Sequence, residues 1–259
     1  MMVCRDIIQK LDELAPPALA MSWDNPGLLA GDPDAPVSRV FLALDASSEA
    51  VEAASQAGCQ MLITHHPLVF TPLRSVRTDD FIGRRIIQMI RSGISYYAMH
   101  TNFDISVMGR LCMDRLGAIY ERPLEITCEE PLMGIGAVGS LPQPIRIRDF
   151  AGQIREAFSL PPIRVFGDTD RVVSKIAICP GSGKGMASDA ILAGADVLVT
   201  GDVDHHSGID GVEEGLCIID AGHHGMEHVF VAYMHQWFSE VFPEIEVEID
   251  TNLSPFSVI

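Results

Sequence analysis

The chain has 259 residues, 47% of them hydrophobic and 20% charged, which excludes a disordered, collagen-like or extended coiled-coil protein and leaves one large α/β unit or two intimate lobes. Eighteen Lys and Arg against 35 Asp and Glu give a net charge of −17; such a surface repels a phosphate backbone, so duplex nucleic acid is not an expected partner. No apolar run approaches the roughly 20 residues that span a bilayer, and the opening MMVCRDIIQKLDELAPPALA has neither a basic leader nor a small-residue cleavage site, so no membrane association and a cytoplasmic location are expected.

Ile7, Ile8, Leu11 and Leu14 share one helical face, and Pro16-Pro17 ends that helix. WDNPGLLAGDPDAP reads as a loop. Val40 to Leu44 then reads as a buried strand, Ser47 or Ser48 as the cap of a helix running to Ala57, Gly58 as its stop and Met61 to Thr64 as a second strand, which makes a βαβ unit. A helix around Phe81 to Arg91 leads to a strand, Ile94 to Met99, that ends at the polar cluster His100-Thr101-Asn102-Phe103-Asp104.

Residues 128–173 are Pro-rich, with a strand-like GIGAVGSL and a helix from about Arg148 to Phe158, and read as a bridging segment. From Lys175 the first pattern returns: strand (Ile176 to Cys179), Gly-rich turn, helix (Ala187 to Leu192), strand (Val197 to Thr200), strand (Cys217 to Asp220) and a helix from about Gly225 into Trp237. Laying positions 39–64 over positions 175–200 without a gap matches Ala54 with Ala190, Ala57 with Ala193, Gly58 with Gly194, Leu62 with Leu198 and Thr64 with Thr200. The expected architecture is therefore α/β, with a first lobe over 1–127 and a second over 128–259, related by internal duplication and packed as one unit. The polar clusters of both lobes fall at the carboxyl ends of strands, where open α/β sheets hold their ligands.

Six of nine histidines form three doublets, His65-His66, His205-His206 and His223-His224. Imidazole is the commonest protein metal ligand, and carboxylates stand at matching places: Asp104 four residues after His100, and Glu227 at i, i+4 from His223. Two imidazoles, an aspartate, a third imidazole and a glutamate suit Zn, Fe, Mn, Co or Ni, and five side chains exceed the needs of one tetrahedral ion with an open position. Two ions bridged by Asp104 and Glu227 would use all five, and such a pair can generate a hydroxide nucleophile for hydrolysis. The six cysteines, with no CxxC pair, read as buried reduced thiols.

WDNPGLLAGD at 23–32, ITHHPLVF at 63–70, HTNFD at 100–104, TGD at 200–202 and GHHGME at 222–227 occur in an order and spacing that resemble the GTP cyclohydrolase 1 type 2 homologues, also called Nif-three-like or YbgI-like proteins, along nearly the whole chain. The resemblance implies the same five metal ligands, His65, His66, Asp104, His223 and Glu227, in a dinuclear site in the cleft between two similar lobes, and a toroidal homohexamer. It implies a metal-dependent hydrolase that opens a nucleotide ring or acts on a related small molecule. Two alternatives stand beside this: a small-nucleotide phosphoesterase, and a non-catalytic metal store or interaction platform. Many family members read GHY where this chain has His223-His224, so His224 is either an extra polar group near the metals or a simple aromatic replacement; with His205 it is a candidate proton carrier. After HTNFD the family's small-residue, Gly-rich stretch is replaced by Ile105-Ser106-Val107-Met108-Gly109.

Other residues carry two readings. His100 and Asn102 orient Asp104 or a water, or satisfy their own turn. Trp23, Asp24 and Asn25 close over the site, or pack and cap. His228 and His235 read as surface or packing residues. PGSGKG at 180–185 lacks the spacing of a phosphate loop, since Ile178 and Gly185 stand where Gly and Ser or Thr are required; it is an anion-binding glycine turn assisted by Lys184, or a plain βα turn.

Overall fold

The computed structural model describes residues 2–251 together with Ser254 and Phe256. Helix α1 (Cys4–Leu14) buries Cys4, Ile7 and Leu11, and full burial of an Ile or Leu side chain contributes about 1.5–3 kcal/mol. Part of the expected loop is a strand, β1 (Gly27–Ala30), admitted by Gly27 and Gly31 at φ of 109° and 112°. Strand β2 (Arg39–Asp45), helix α2 (Ser48–Gln56), strand β3 (Met61–His66), helix α3 (Phe81–Arg91) and strand β4 (Ser95–Ala98) follow as the hydrophobic pattern requires. Ser47 caps α2 by accepting from Ala50 N at 3.0 Å, and Asp80 caps α3 by accepting from Gly83 N at 2.8 Å.

A short turn of helix, α4 (Thr101–Phe103), runs on as a π-turn (Asp104–Met108) into α5 (Gly109–Arg115). Then come β5 (Ile119–Arg122), the hairpin β6 (Glu125–Glu129) and β7 (Leu132–Ile135), β8 (Ala137–Arg146), α6 (Ile147–Phe158) and β9 (Arg164–Phe166). The GIGAVGSL strand is broken between β7 and β8 by Gly136 at φ 66°, where a Cβ would come within 2.5 Å of the Ile178 carbonyl oxygen. The second βαβ pattern is β10 (Val172–Ser182), α7 (Met186–Leu192), β11 (Val197–Gly201), α8 (His205–Glu213) and β12 (Cys217–Asp220), followed by α9 (His223–Glu227), α10 (Val229–Val241) and β13 (Glu246–Ile249).

Helix α8 has no counterpart in the sequence expectation. Gly208 and Gly211 in its interior weaken its propensity and erase its apolar stripe. Packing accounts for Gly208, where a Cβ would meet the Phe166 ring at 2.3 Å; one at Gly211 would meet Ile218 Cδ1, the movable end of a side chain, at 2.7 Å.

The described residues divide into two compact units, one of residues 2–103 with 230–251, the other of residues 104–229. The first holds a five-stranded sheet in the order β1-β4-β3-β2-β13, in which β1 alone is antiparallel. The second holds a six-stranded sheet in the order β5-β8-β10-β11-β12-β9, parallel across β10, β11 and β12, and the separate β6-β7 hairpin. Residues 128–173 thus build β8, α6 and β9 of the second unit, whereas α10 and β13 return to the first.

Taken separately, the two units repeat one arrangement. Val40 pairs with Met61 and Ala43 with Thr64; at the matching positions Ile176 pairs with Val197 and Cys179 with Thr200. Gln60 Oε1 accepts from the Ser38 and Arg39 amides at 3.0 Å each, and Asp196 Oδ2 from those of Ser174 and Lys175 at 2.9 Å each. Gly58 and Gly194 end α2 and α7 with φ of 67° and 70°. On the far side of each repeat an antiparallel edge strand, β1 or β9, pairs with β4 or β12.

Candidate metal centre

Strand β3 runs on through His65 and His66 instead of ending before them. In the first unit these two imidazoles meet a third, His100, just beyond β4. The ring centroids of His65 and His66 are 5.0 Å apart, and those of His100 lie 5.3 Å and 5.7 Å from them. One nitrogen from each of the three falls within 4.8 Å of the others, close enough to share an ion. His65 is fully buried against the aromatic rings of Phe103 and Phe230, with centroids at 6.1 Å and 5.4 Å.

Each ring is held by the same nitrogen. His65 Nδ1 lies 2.8 Å from the Met99 carbonyl oxygen, His66 Nδ1 2.8 Å from Asp45 Oδ1, and His100 Nδ1 2.8 Å from Asp24 Oδ1. A carbonyl or carboxylate oxygen can only accept, so Nδ1 donates and Nε2 keeps its lone pair, the tautomer that a metal-binding histidine needs. Asp24 also accepts from the Thr101 amide at 2.9 Å and from its hydroxyl. Burial alone would raise the Asp24 pKa, but the hydrogen bonds from His100 and Thr101 outweigh it and bring it down to about 2. Asp24 therefore both caps the turn and orients His100. Trp23 is exposed, its ring 5.8 Å from that of His100, and Asn25 Nδ2 donates to the Val69 carbonyl at 2.7 Å. Asn102 closes its own turn, accepting from the His100 amide at 2.9 Å and donating to the Ala15 carbonyl at 2.7 Å.

The second unit carries a complementary donor set. His223 and Glu227 stand at the two ends of α9, with Nε2 and Oε2 2.9 Å apart, and His223 Nδ1 is held by Asp202 at 2.7 Å. Glu227 is almost fully buried, and one of its oxygens lies within 4.8 Å of an Asp104 oxygen, so this carboxylate sits beside a second carboxylate and an imidazole. Gly181 makes room for it: at φ 77°, a Cβ there would come 2.1 Å from Glu227 Oε1. Gly201 admits α9 in the same way, since a Cβ would meet the His223 amide nitrogen at 2.5 Å. Burial first, then the negative charges of Asp104 and Glu227, push the Cys112 and Cys179 thiols upward, so both stay protonated. All six cysteines are free thiols, five of them buried.

His205 opens α8, exposed, with its ring 5.3 Å from that of His206. His224 is half-buried on α9, its ring 5.5 Å from that of half-buried His228, and His235 is exposed on α10. The sequence did not single out Asp45 and Asp202 as the acceptors for His66 and His223. Asp45 ends β2, and Asp202 follows β11 by one residue within the TGD motif.

The family model described as Duf34/NIF3 (NGG1p interacting factor 3) matches residues 2–256. The chain is 35% identical over 229 residues to a GTP cyclohydrolase 1 type 2 homolog of Clostridium perfringens, covering 87% of each protein. Its fold is similar to that of the Staphylococcus aureus hypothetical protein SA1388, with a TM-score of 0.90, 29% identity and coverage of 100% of this chain and 99% of that one. It is similar also to that of a Bacillus cereus protein related to NIF3, with a TM-score of 0.91, 23% identity and the same coverage. With the whole described chain matched in sequence and fold, the protein belongs to the Duf34/NIF3 family.

Proposed function

We propose that this protein is a metal-dependent hydrolase in which His65, His66, Asp104, His223 and Glu227 hold two divalent transition-metal ions per subunit, drawn from Zn, Fe, Mn, Co and Ni. The observation that carries this reading is the common tethering of His65, His66 and His223 through Nδ1, which makes Nε2 the coordinating atom of each ring. The donor set fits such ions: neutral imidazoles supply borderline ligands, and the neighbouring carboxylates of Asp104 and Glu227 supply anionic oxygens that can bridge. When bound, the ions would supply an activated water and neutralise charge that develops on the substrate.

The chain's own residues then have separate tasks. Asp45, Asp202 and the Met99 carbonyl fix the imidazole planes; Gly181 keeps the space that Glu227 occupies. His205 and His224, outside the ligand set, are assigned proton transfer. A nucleotide or related small molecule is the proposed substrate, supported by the name of the Clostridium perfringens relative. A cytoplasmic toroidal hexamer is the proposed form; among the described residues no helix is long and apolar enough to cross a membrane.

The test is elemental analysis of protein purified without chelator, paired with hydrolysis assays on GTP, other nucleotides and phosphodiesters before and after metal replacement. About two ions per chain with metal-dependent turnover supports the hydrolase, and the substrate turned over separates ring opening from phosphoester cleavage. Two ions without turnover would replace it with a metal-binding platform, and no metal after reconstitution would overturn the ligand set.

A further inference from the structure

The repeat of one arrangement in both units makes their differences informative, and one of them lies between the α2–α3 and α7–α8 helix pairs. In the first unit the α2–α3 seam is closed by three side-chain pairs: Arg85 Nε donates to Ser48 Oγ at 3.0 Å, Gln88 Nε2 donates to Glu52, and the Ser55 and Ser92 hydroxyls lie 2.8 Å apart. Beneath them the Tyr96 hydroxyl pairs with Thr64 Oγ1 at 2.9 Å and accepts from the Leu68 amide at 2.8 Å. Every polar group at that depth is satisfied within the protein.

At the matching places of the second unit the pairs become Lys184 with Ser207, Ser188 with Asp210, and Ile191 with Glu214, and among the described residues no hydrogen bond or ion pair joins them. All six instead line a cavity of about 240 Å³ between α7 and α8. Ile218 replaces Tyr96, and with the phenol gone Thr200, the counterpart of Thr64, is left with its hydroxyl in the same cavity. Thr200 is 1% exposed and its Oγ1 has no hydrogen-bond partner. An unsatisfied buried hydroxyl is destabilising, so a fold that retains one beside a cavity has a partner in prospect. Gly183 lies close over this hydroxyl: in the first unit this position is the capping Ser47, and a Cβ here would lie 2.0 Å from Thr200 Oγ1.

We propose that the α7–α8 seam is a binding pocket for a small planar ring that carries a hydrogen-bonding atom toward Thr200 and a cationic amine or amidine toward α8. Leu198, Ile218 and Val203 give the ring an apolar floor. Asp210 and Glu214 make the α8 wall acidic, with Asp202 and Asp204 on the lining as well and Lys184 as its single cation, so the balance of charge rejects an anion. PGSGKG thus contributes Gly183, Lys184 and Gly185 to the wall of a pocket for a cation, not an anion-binding turn. The ring takes the place that Tyr96 fills in the other unit, and the inference stands whether or not the proposed metal centre is catalytic.

Titration calorimetry of the full chain with tyramine, benzamidine and 2-aminobenzimidazole, with 4-hydroxyphenylacetate as the anionic control, tests it. At least one amine should bind saturably at one site per chain, at least tenfold more tightly than the anion, with or without a metal chelator. Ser188→Glu with Asp210→Gln, which rebuilds the closing pair of the first unit, should weaken binding at least tenfold. Thr200→Val, which removes only the hydroxyl, should weaken it about fivefold while the thermal midpoint does not fall. Saturable binding by none of the three amines, equal binding of the anion, or binding unchanged in both variants would overturn the proposal.

Discussion

Asp45 and His66 are Cα partners across the parallel β2–β3 ladder, and their side chains meet with Oδ1 2.8 Å from Nδ1. The ladder register itself therefore sets which nitrogen of His66 carries the proton. Asp45→Asn exchanges an anionic acceptor for an amide that can present either a donor or an acceptor to Nδ1. Loss of such an orienting partner typically costs 10–100-fold in metal affinity, so chelator competition should register a loss in that range with the circular dichroism unchanged.

Gly181→Ala should damage the second donor set without touching a proposed ligand. The new methyl group would fall 2.1 Å from Glu227 Oε1, and φ 77° is itself unfavourable for alanine by about 1–2 kcal/mol. The expected result is a lower unfolding midpoint together with substoichiometric metal by elemental analysis, whereas Gly152→Ala, inside α6 with open space around it, should raise the midpoint and leave the metal content unchanged.

Tyr96 gives a pH signature. Burial raises its pKa from the usual 10 to about 12, partly opposed by the hydrogen bonds from Thr64 and Leu68. A phenol that stays protonated in the folded state while the unfolded chain ionises contributes stability that is present below pH 10 and lost as pH rises from 10 to 12. Urea midpoints measured across that window should fall in the wild type and fall less in Tyr96→Phe, which should also be less stable at pH 7 because Thr64 and the Leu68 amide lose a partner.

Asp196 anchors two consecutive amides of β10 with one oxygen, as Gln60 does for β2. Asp196→Ala should destabilise the protein by about 1–3 kcal/mol, the range for stranding hydrogen-bonding groups, and Asp196→Gln, the residue of the other repeat, should restore most of the loss in urea denaturation.

Much of this was legible in the chain. The period-2 and period-3.6 patterns placed β2, α2, β3, α3 and β4 and their counterparts β10, α7, β11 and β12, because these elements bury continuous apolar faces that propensity and packing both favour. The gapless match of residues 39–64 with 175–200 foretold the shared register of the first four pairs in each ladder and the matching helix stops at Gly58 and Gly194. Two of the three histidine doublets, with Asp104 and Glu227, supply residues of the clusters that could hold a metal ion.

The rest depended on tertiary structure. Strand β1 lies in a loop-like composition and gains its ladder from β4; α8 closely approaches Phe166 and Ile218, and the glycines that allow this make its helical pattern invisible. Strand β13 belongs to the first sheet because it pairs with β2, some two hundred residues away in sequence. His100, weighed from sequence as an orienting group, stands with His65 and His66 because Asp24, distant in sequence, holds its ring. Sequence specified local periodicity and donor chemistry because these are properties of neighbouring residues. Which oxygen tethers which imidazole, and which seam closes, are contacts between distant segments, and only the folded chain brings those together.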